Sequence, residues 1–592
     1  MNPEDPNKVV YFAETDSRNR RTKFGIKIKD RSRHTYIIGK TGMGKSTLLE
    51  NLAIQDIQDG RGLAFLDPHG KTADLLLEYV PEHRLKDVLY FAPFDLDFPI
   101  SFNVLEDVGP DKRHLVANGL MSAFKKIWVD AWSARMEYIL NNILLALLEY
   151  PDSTLIGVNR ILADEDYRNK VVEYVTDPSV KSFWVDEFAK YGPKYMQEAG
   201  ASIQNKIGQF ISNPLIRNII GQPKSTFDIR DIMDTKKILI INLSKGLVGE
   251  ANANLLGAML ITKIYLSAMS RADKREHELA ELPNFYLFVD EFQNFANESF
   301  ADILSEARKY KLNLVVAHQY IEQMTDEVRA AVFGNVGTMI TFRVGAFDAE
   351  ILEKEFAPQF MATDLVNLGF AQIYLKLMID GVSSKPFSAV TLPPMPKPTK
   401  NIREQILESS RQVFARPRAD VENDIKQWHE EMRVSNEKPH GGAGRKPQQG
   451  SAGVGAPGGR KSAIESALAA VLGKEPLKPE VGAQDHKPRP PHNEAHQREK
   501  DLRKAVSLSY LRQNNTREKK APSKEHLADL RSALAAIAFD DESSETHDTQ
   551  HEPVSKPVEV SQESPKQSPH HVEPEAKKEV PEDVLKRILE IN

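Results

Sequence analysis

The chain has 592 residues, more than a single ordinary domain, so we expect at least two folded units or one large core with appendages. Lys and Arg (78) nearly balance Asp and Glu (84), and the net charge of -6 does not mark a nucleic-acid-binding protein, although a narrow DNA channel needs only local positive charge. Cysteine is absent, which excludes disulfides, thiolate metal sites and cysteine nucleophiles.

The sequence gives no sign of a direct membrane span. Its start, MNPEDPNKVVYFAE, lacks the basic-then-apolar pattern of a signal peptide, and no run of about 18 apolar residues occurs. The most apolar stretch, LLGAMLITKIYL, is interrupted by Lys263. We therefore expect a cytoplasmic protein.

Basic side chains concentrate in residues 14–33, ETDSRNRRTKFGIKIKDRSR, before the first strong strand signal. Such a cluster could neutralise DNA phosphates, but a charge run more often lies on a solvated surface, and we favour that interpretation. The basic residues are Arg18, Arg20, Arg21, Lys23, Lys27, Lys29, Arg31 and Arg33.

A phosphate-binding loop follows, between the strand-like TYII and the helical TLLENLAIQDI. Its glycines let backbone N–H groups close around a β-phosphate at a helix N-terminus. Lys45 is expected to neutralise β- and γ-phosphate oxygens and the Ser46 hydroxyl to bind Mg²⁺. A glycine-rich turn that matches by chance is the alternative. The loop consists of Gly39, Lys40, Thr41, Gly42, Met43, Gly44, Lys45, Ser46 and Thr47.

Up to about Pro394, short apolar strands alternate with helical stretches. Most strands are continuously apolar, which is typical of a parallel sheet covered by helices on both faces and predicts a doubly wound α/β core. The strand-like runs are TYIIG, GLAFLD, VLYFAP, KILIINLS, FYLFVDE, LNLVVAHQ, TMITFRV and QIYLKLM.

Between residues 106 and 234 only helical periodicity appears, as in SARMEYILNNILLALLEY, and we predict an inserted all-α domain. It would explain why Asp290 follows Lys45 at so long a distance in the chain. The predicted organisation is a core in two parts (1–105 and 235–395) around the insertion (106–234), then a helical extension (396–436) and a disordered tail (437–592).

Acidic and amide side chains end two of the predicted strands. After FYLFV, Asp290 is expected to orient Mg²⁺ and Glu291 to polarise the attacking water; a helix-capping pair is the alternative. Gln319, after LNLVVAH, is a candidate for sensing a γ-phosphate or positioning water, and an ordinary turn residue is the alternative; its neighbour His318 is assigned a structural role. For Asp67, in GLAFLDPHGKT, two roles stay open: contact with a ligand and formation of a turn.

An arginine must stabilise charge on the transferred phosphate, and ring-shaped NTPases often take it from a neighbouring subunit. Arg308, in SEARKYKLNLVV, is the candidate and Arg343, in TMITFRVGAFDAE, is the second choice. For each, an ordinary ion pair is the alternative.

The tail contains a flexible linker, GGAGRKPQQGSAGVGAPGGRK, and three short amphipathic segments at 462–473, 526–539 and 581–592. Helices this short are marginal in water. They are either unfolded or dock on a partner, and the sequence leaves both open.

The order of several motifs resembles the type IV secretion coupling proteins, conjugative DNA-transfer ATPases of the HerA/FtsK superfamily. The resemblance covers roughly residues 8–430. The motifs are GKTGMGKST, LAFLDPHG, SFNVLE, ISNPLIRNIIGQ, FVDEFQNF, EARKYKLNLVVAHQ, GNVGTMITFRVGAFDAE and KPFSAVTLPP.

This resemblance implies a RecA-like motor domain with an all-α insertion, a hexameric ring and ATP-driven pumping of DNA through its channel. It implies that Lys45 and Ser46 bind nucleotide and Mg²⁺ and that Asp290 and Glu291 take part in hydrolysis. It also implies that Gln319 is a sensor and that Arg308 acts on the site of a neighbouring subunit. Lys245, in INLSKGLVG, is a weaker candidate for a channel loop. Secretion-system or relaxosome proteins would be partners of the tail.

Two departures from the family pattern stand out: the N-terminal transmembrane helices of many members are absent, and Lys71 follows DPHG where Asp is common. Recruitment to the inner membrane face would then depend on another subunit. Two other functions stay open. One is an ATPase that energises protein export or assembly without DNA, and the other is a nucleotide-controlled adaptor that acts through its tail.

Overall fold

The computed structural model describes residues 5–436, apart from 17–19, 107–108, 192 and 297. The predicted tail and its three amphipathic segments lie outside the described residues. The strands are β1 (Val9–Thr15), β2 (Lys23–Lys27), β3 (Thr35–Ile38), β4 (Gly62–Asp67), β5 (Val88–Phe91), β6 (Ile238–Asn242), β7 (Phe285–Val289), β8 (Leu312–His318), β9 (Thr338–Thr341), β10 (Gln372–Lys376), β11 (Met378–Ile379), β12 (Val382–Ser383) and β13 (Phe387–Thr391).

The helices connect these strands or follow them. They are α1 (Lys45–Gln58), α2 (Lys71–Glu78), α3 (Arg113–Ile127), α4 (Ala134–Glu149), α5 (Gly157–Ala163), α6 (Glu165–Tyr174), α7 (Pro178–Ser182), α8 (Pro193–Ile211), α9 (Pro214–Ile220), α10 (Ile229–Asp234), α11 (Lys245–Val248), α12 (Glu250–Met269), α13 (Glu276–Glu281), α14 (Glu298–Glu306), α15 (Asp326–Asn335), α16 (Ala346–Phe356), α17 (Ala362–Val366), α18 (Arg403–Phe414) and α19 (Arg418–Asn436).

In the described part of the chain, eleven strands form one mixed sheet in the order β2-β1-β13-β10-β9-β3-β8-β7-β4-β6-β5. The strands from β9 to β5 are all parallel, which confirms the predicted α/β core. The run QIYLKLM differs from the prediction, because β10 pairs antiparallel with β9 and β13. Its side chains alternate between buried and half-buried, as is usual for an antiparallel strand with one wetter face.

Helices cover both faces of this sheet. Ile37 of β3 packs into one apolar cluster with side chains of α1, α2, α18 and the β1–β2 hairpin. Tyr36 and Ile38 point to the other cluster, which includes α3, α4, α12, α14 and α15. Alternate side chains of one strand thus enter separate cores, which explains why the parallel strands are apolar along their whole length.

Between β5 and β6 the described residues form helices, α3 to α10, and no strand. Their apolar side chains join the same cluster as α12, so this segment rests on one face of the sheet. The boundaries 106 and 234 stay a prediction.

The segment Glu250–Asp273 is, among the described residues, a helix long and apolar enough to cross a membrane by length and composition. It contains the LLGAMLITKIYL stretch, and 67% of its most apolar window is buried inside the protein. The helix therefore serves as a central element of the core.

Candidate functional site

The phosphate-binding loop connects the carboxyl end of β3 to the first turn of α1. Gly42 and Gly44 adopt positive φ angles of 79° and 116°, conformations that L side chains rarely reach. The Lys45 ammonium is buried and donates to the carbonyl oxygens of Gly39 (2.6 Å) and Lys40 (3.3 Å). Burial lowers the pKa of Lys45, and the nearby carboxylates of Glu291 and Asp290 oppose that effect.

Asp290 follows β7 directly, and its backbone N–H donates to Leu66 of the neighbouring strand β4. Burial, together with the charges of Glu291 and Asp67, raises the pKa of Asp290 to about 7. Three carboxyl groups therefore meet at the carboxyl edge of adjacent strands, where α/β proteins place ligand-contacting groups.

Glu291 lies in the left-handed region with φ of 47° and precedes the short turn Phe292–Asn294. Its side chain makes no capping hydrogen bond to that turn, although the helix-capping alternative requires one. Gln319 Nε2 donates to Glu291 Oε1 instead, and Gln293 Nε2 donates to Oε2 at 2.6 Å. Because Thr41 Oγ1 donates to Gln319 Oε1 at 2.8 Å, one chain of hydrogen bonds joins the phosphate-binding loop to Glu291.

Sequence reasoning missed Gln293, although it lies two positions after Glu291 in FVDEFQNF. No property of the residue type distinguishes it in the sequence, because its contact with Glu291 appears only once the turn Phe292–Asn294 has formed. The structure thus adds a second amide to the predicted pair Glu291 and Gln319.

Asp67 has both carboxylate oxygens engaged by its own loop. They accept the N–H groups of His69 (2.8 Å) and Ala73 (2.9 Å), an arrangement that forms the turn and starts α2. At Gly70, with φ of 89°, an added Cβ would lie 2.6 Å from Asn242 Oδ1, so this turn needs glycine. The geometry favours the turn role for Asp67.

His318 is fully buried, and its Nδ1 lies 3.2 Å from the Tyr36 hydroxyl. Its pKa is lowered to about 3 by burial and by the positive charges of Lys45 and Lys126, so the imidazole is neutral at working pH. These contacts agree with the structural role expected for it.

The two candidate arginines lie at opposite ends of the parallel strands. Arg308 is exposed in the turn Ala307–Tyr310, before the amino end of β8, and that strand places it about 20 Å from Gln319. Arg343 follows the carboxyl end of β9, and its carbonyl accepts the backbone N–H of Lys40 at 2.8 Å. Only Arg343 is thus close to the phosphate-binding loop of its own chain.

Several cations of the basic N-terminal segment have partners within the fold. Lys27 and Lys29 both contact Asp380, at 2.9 and 2.8 Å, and Arg31 forms a buried ion pair with Asp56 at 2.6 Å. Arg18 lies outside the described residues. Lys245, the channel-loop candidate, pairs with Glu250 at 3.1 Å. The buried Arg31 therefore differs from the solvated surface expected for this segment, and the ion pairs of Lys27 and Lys29 give those cations partners within the fold.

The donor set suits a magnesium ion bound together with a phosphate ligand. The Ser46 hydroxyl and the Asp290 carboxylate are hard oxygen donors of the kind that Mg²⁺ prefers. Within residues 5–436, outside the gaps, no cluster of three or more His, Asp or Glu side chains could hold a metal by itself. Mg²⁺ here would therefore depend on nucleotide oxygens, as is usual for this ion.

Comparison with protein families gives a match of residues 21–354 to the model of the type IV secretion-system coupling protein DNA-binding domain. No curated protein sequence matches the chain significantly.

Similar solved structures include the bacterial conjugative coupling protein TrwB, lacking its first 70 residues, at 14% identity and a TM-score of 0.49 over 68% of this chain and 98% of that one. TrwB with an ATP analogue has 15% identity and a TM-score of 0.48 over the same shares. VirB4 of Thermoanaerobacter pseudethanolicus has 14% identity and a TM-score of 0.43, over 68% of this chain and 99% of its own.

Proposed function

Since the match over residues 21–354 places this chain in the family of type IV secretion-system coupling proteins, we propose that it is an ATP-hydrolysing motor that pumps DNA through a ring channel, in conjugation or secretion. The observation that carries the proposal is the hydrogen-bonded chain Thr41–Gln319–Glu291. It connects a phosphate-binding loop to a carboxylate suited to activate water.

Nucleotide would be held by residues 39–47, with Lys45 leaving its loop carbonyls to meet β- and γ-phosphate oxygens. Ser46 and Asp290 would hold Mg²⁺, which would neutralise the negative charge of the nucleotide phosphates. A TrwB structure contains ADP and Mg²⁺, the kinds of ligand that we propose for this chain.

Glu291 is the proposed general base: its carboxylate accepts a proton from the attacking water while Gln319 and Gln293 fix its orientation. Gln319 also contacts Thr41, so a change at the phosphate-binding loop reaches Glu291 through one side chain. Arg308 of a neighbouring subunit would stabilise the transferred charge, which requires an assembly of subunits, and a hexameric ring is the form we propose.

The proposed substrate is DNA, gripped through its phosphates and therefore with little sequence preference. We place the protein in the cytoplasm, recruited to the membrane by secretion-system or relaxosome proteins that bind its tail.

The decisive experiment is steady-state ATP hydrolysis by the full chain with no DNA, single-stranded DNA or duplex DNA, at two salt concentrations. We expect DNA to stimulate turnover and higher salt to remove the stimulation, because phosphate contacts release counterions. Lys45→Ala and Glu291→Gln should abolish turnover, and Glu291→Gln should keep nucleotide affinity.

Turnover that ignores DNA and responds to a protein partner would replace this proposal with the protein-export function. Absence of turnover under every condition, with loss of function after removal of residues 437–592, would favour the adaptor.

A further inference from the structure

The turn after the left-handed residue Glu291 is closed by backbone hydrogen bonds. The N–H groups of Asn294, Phe295 and Ala296 close it by donating to the carbonyls of Glu291 and Phe292, at 2.9 to 3.0 Å. The carbonyls of Gln293 and Ala296 point away from this internal pattern and need donors from elsewhere.

Lys126 supplies those donors. It lies in the last turn of α3, in the helical segment between β5 and β6, and its ammonium donates to the carbonyls of Gln293 (2.6 Å) and Ala296. Hydrogen bonds from a charged donor are among the stronger ones in proteins. One side chain of the helical segment therefore fastens both ends of the turn beside Glu291.

Gln293 is held at its backbone and at its side chain. Its carbonyl accepts from Lys126, and its side-chain Nε2 donates to Glu291 Oε2. Two hydrogen bonds, both made by Gln293, therefore connect Lys126 of α3 to the Glu291 carboxylate. A movement of α3 relative to the sheet would act directly on the orientation of Glu291.

The surroundings of Lys126 indicate that this contact is specific. Burial, together with the charge of Lys245, lowers the pKa of Lys126 to about 8, and a partly buried ammonium persists where it is well hydrogen-bonded. A cavity of about 440 Å³ lies beside it, between α3, α12 and the turn, lined by Ala123, Ile127, Glu250, Asn254 and Gln293.

We propose that Lys126 is a positioning residue through which the helical segment between β5 and β6 holds Glu291 in the orientation required for hydrolysis. This inference rests on the proposed ATPase function for its kinetic consequence. Its structural consequence, an anchored turn, can be measured without turnover.

The test compares Lys126→Met, Lys126→Arg and Lys181→Met in the full chain. Methionine keeps an unbranched apolar side chain and removes the ammonium that makes both hydrogen bonds, whereas arginine keeps a charged donor. Lys181 is the matched control, since it also donates to a backbone carbonyl in the helical segment, that of Val175 at 3.2 Å, far from the turn.

In Lys126→Met we expect kcat to fall about tenfold or more with the Kd for a fluorescent ATP analogue within twofold of wild type, because a misplaced base slows chemistry without weakening binding. Lys126→Arg should recover most of the loss. Amide hydrogen exchange of residues 292–296 should become faster in Lys126→Met and stay unchanged in Lys181→Met.

Unchanged exchange at residues 292–296 in Lys126→Met would overturn the anchoring role, whatever the turnover. Equal loss of kcat in Lys126→Met and Lys181→Met would show a general effect on the helical segment and would also overturn it. If wild-type protein does not hydrolyse ATP, the proposed function fails, and the exchange result still decides the role of Lys126.

Discussion

At the scale of single residues, His34 shows how one buried imidazole affects acid stability. Its Nδ1 accepts the N–H of Leu314 at 3.1 Å, so Nε2 carries the proton and donates to the Leu304 carbonyl at 3.2 Å. Burial lowers its pKa from 6.5 to about 4, and the charge of Arg308 contributes to the decrease. A second proton would remove the acceptor that Leu314 needs.

This geometry predicts acid destabilisation. Below pH 6.5 the unfolded chain binds a proton at His34 and the folded chain does not, so the free energy of unfolding falls as the pH falls, until about pH 4. Between pH 7 and pH 5 the loss from His34 is about 2 kcal/mol. His34→Asn keeps an acceptor and cannot titrate, so denaturant unfolding at the two pH values should show a smaller difference. An unchanged difference would contradict the assignment.

At the scale of elements, α12 packs so tightly on the turn after Glu291 that one of its positions admits only glycine. A Cβ at Gly257 would lie 2.3 Å from the Phe295 ring, whereas at Gly334 in α15 no atom lies within 4 Å. Alanine is normally the better helix former by about 1 kcal/mol.

The two glycines therefore predict opposite results. Gly257→Ala should lower the free energy of unfolding by about 1–3 kcal/mol, since the ring and the helix must separate. Gly334→Ala should raise it by about 0.4–1 kcal/mol through the unfolded state. Urea unfolding of both variants measures the contrast, and stabilisation by Gly257→Ala would show that Phe295 moves freely.

Most strands that the sequence predicts correctly are buried on both faces and therefore form an uninterrupted apolar run, as β4 and β7 do. The hairpin β1–β2 escaped prediction because Lys23 and Lys27 give it the appearance of a charged surface segment. β13 lies in the motif KPFSAVTLPP but was not predicted as a strand, because it is short and alternate side chains are only half-buried. Antiparallel strands, whose side chains alternate between the two faces, thus carry weaker signals than the parallel strands.

For the site, the loop residues 39–47 and the pair Asp290 and Glu291 follow from local patterns, since glycine spacing and a strand end are visible in sequence. The contact of Lys126 with Gln293 joins residues 167 positions apart and depends on how α3 packs on the sheet. No local pattern contains that information.

At the scale of the whole molecule, the separation of Arg308 from Gln319 along β8 predicts that the arginine can serve only a neighbour's site. Arg308→Ala should lower kcat about 10³-fold and spare ATP affinity. Mixing it with Lys45→Ala protein should restore part of the turnover, because the Lys45→Ala subunit supplies an intact arginine to an intact loop.

Arg343→Ala is the comparison for that experiment. Its backbone adjoins the phosphate-binding loop of the same chain, so mixing with Lys45→Ala should restore nothing. Wild-type turnover in Arg308→Ala would contradict the assignment of Arg308 as the arginine that acts in trans. Recovery of turnover when Arg343→Ala is mixed with Lys45→Ala would assign that role to Arg343.

The order of strands in the sheet also has a consequence for synthesis of the protein. Among the strands that the structure describes, β3 pairs only with β8 and β9, β4 only with β6 and β7, and β5 only with β6. These first three parallel strands leave the ribosome without any partner, and the whole helical segment is made before β6 appears. A nascent chain with apolar, unpaired strand edges folds slowly and aggregates readily, so chaperones that shield those edges should decide its yield in the cell.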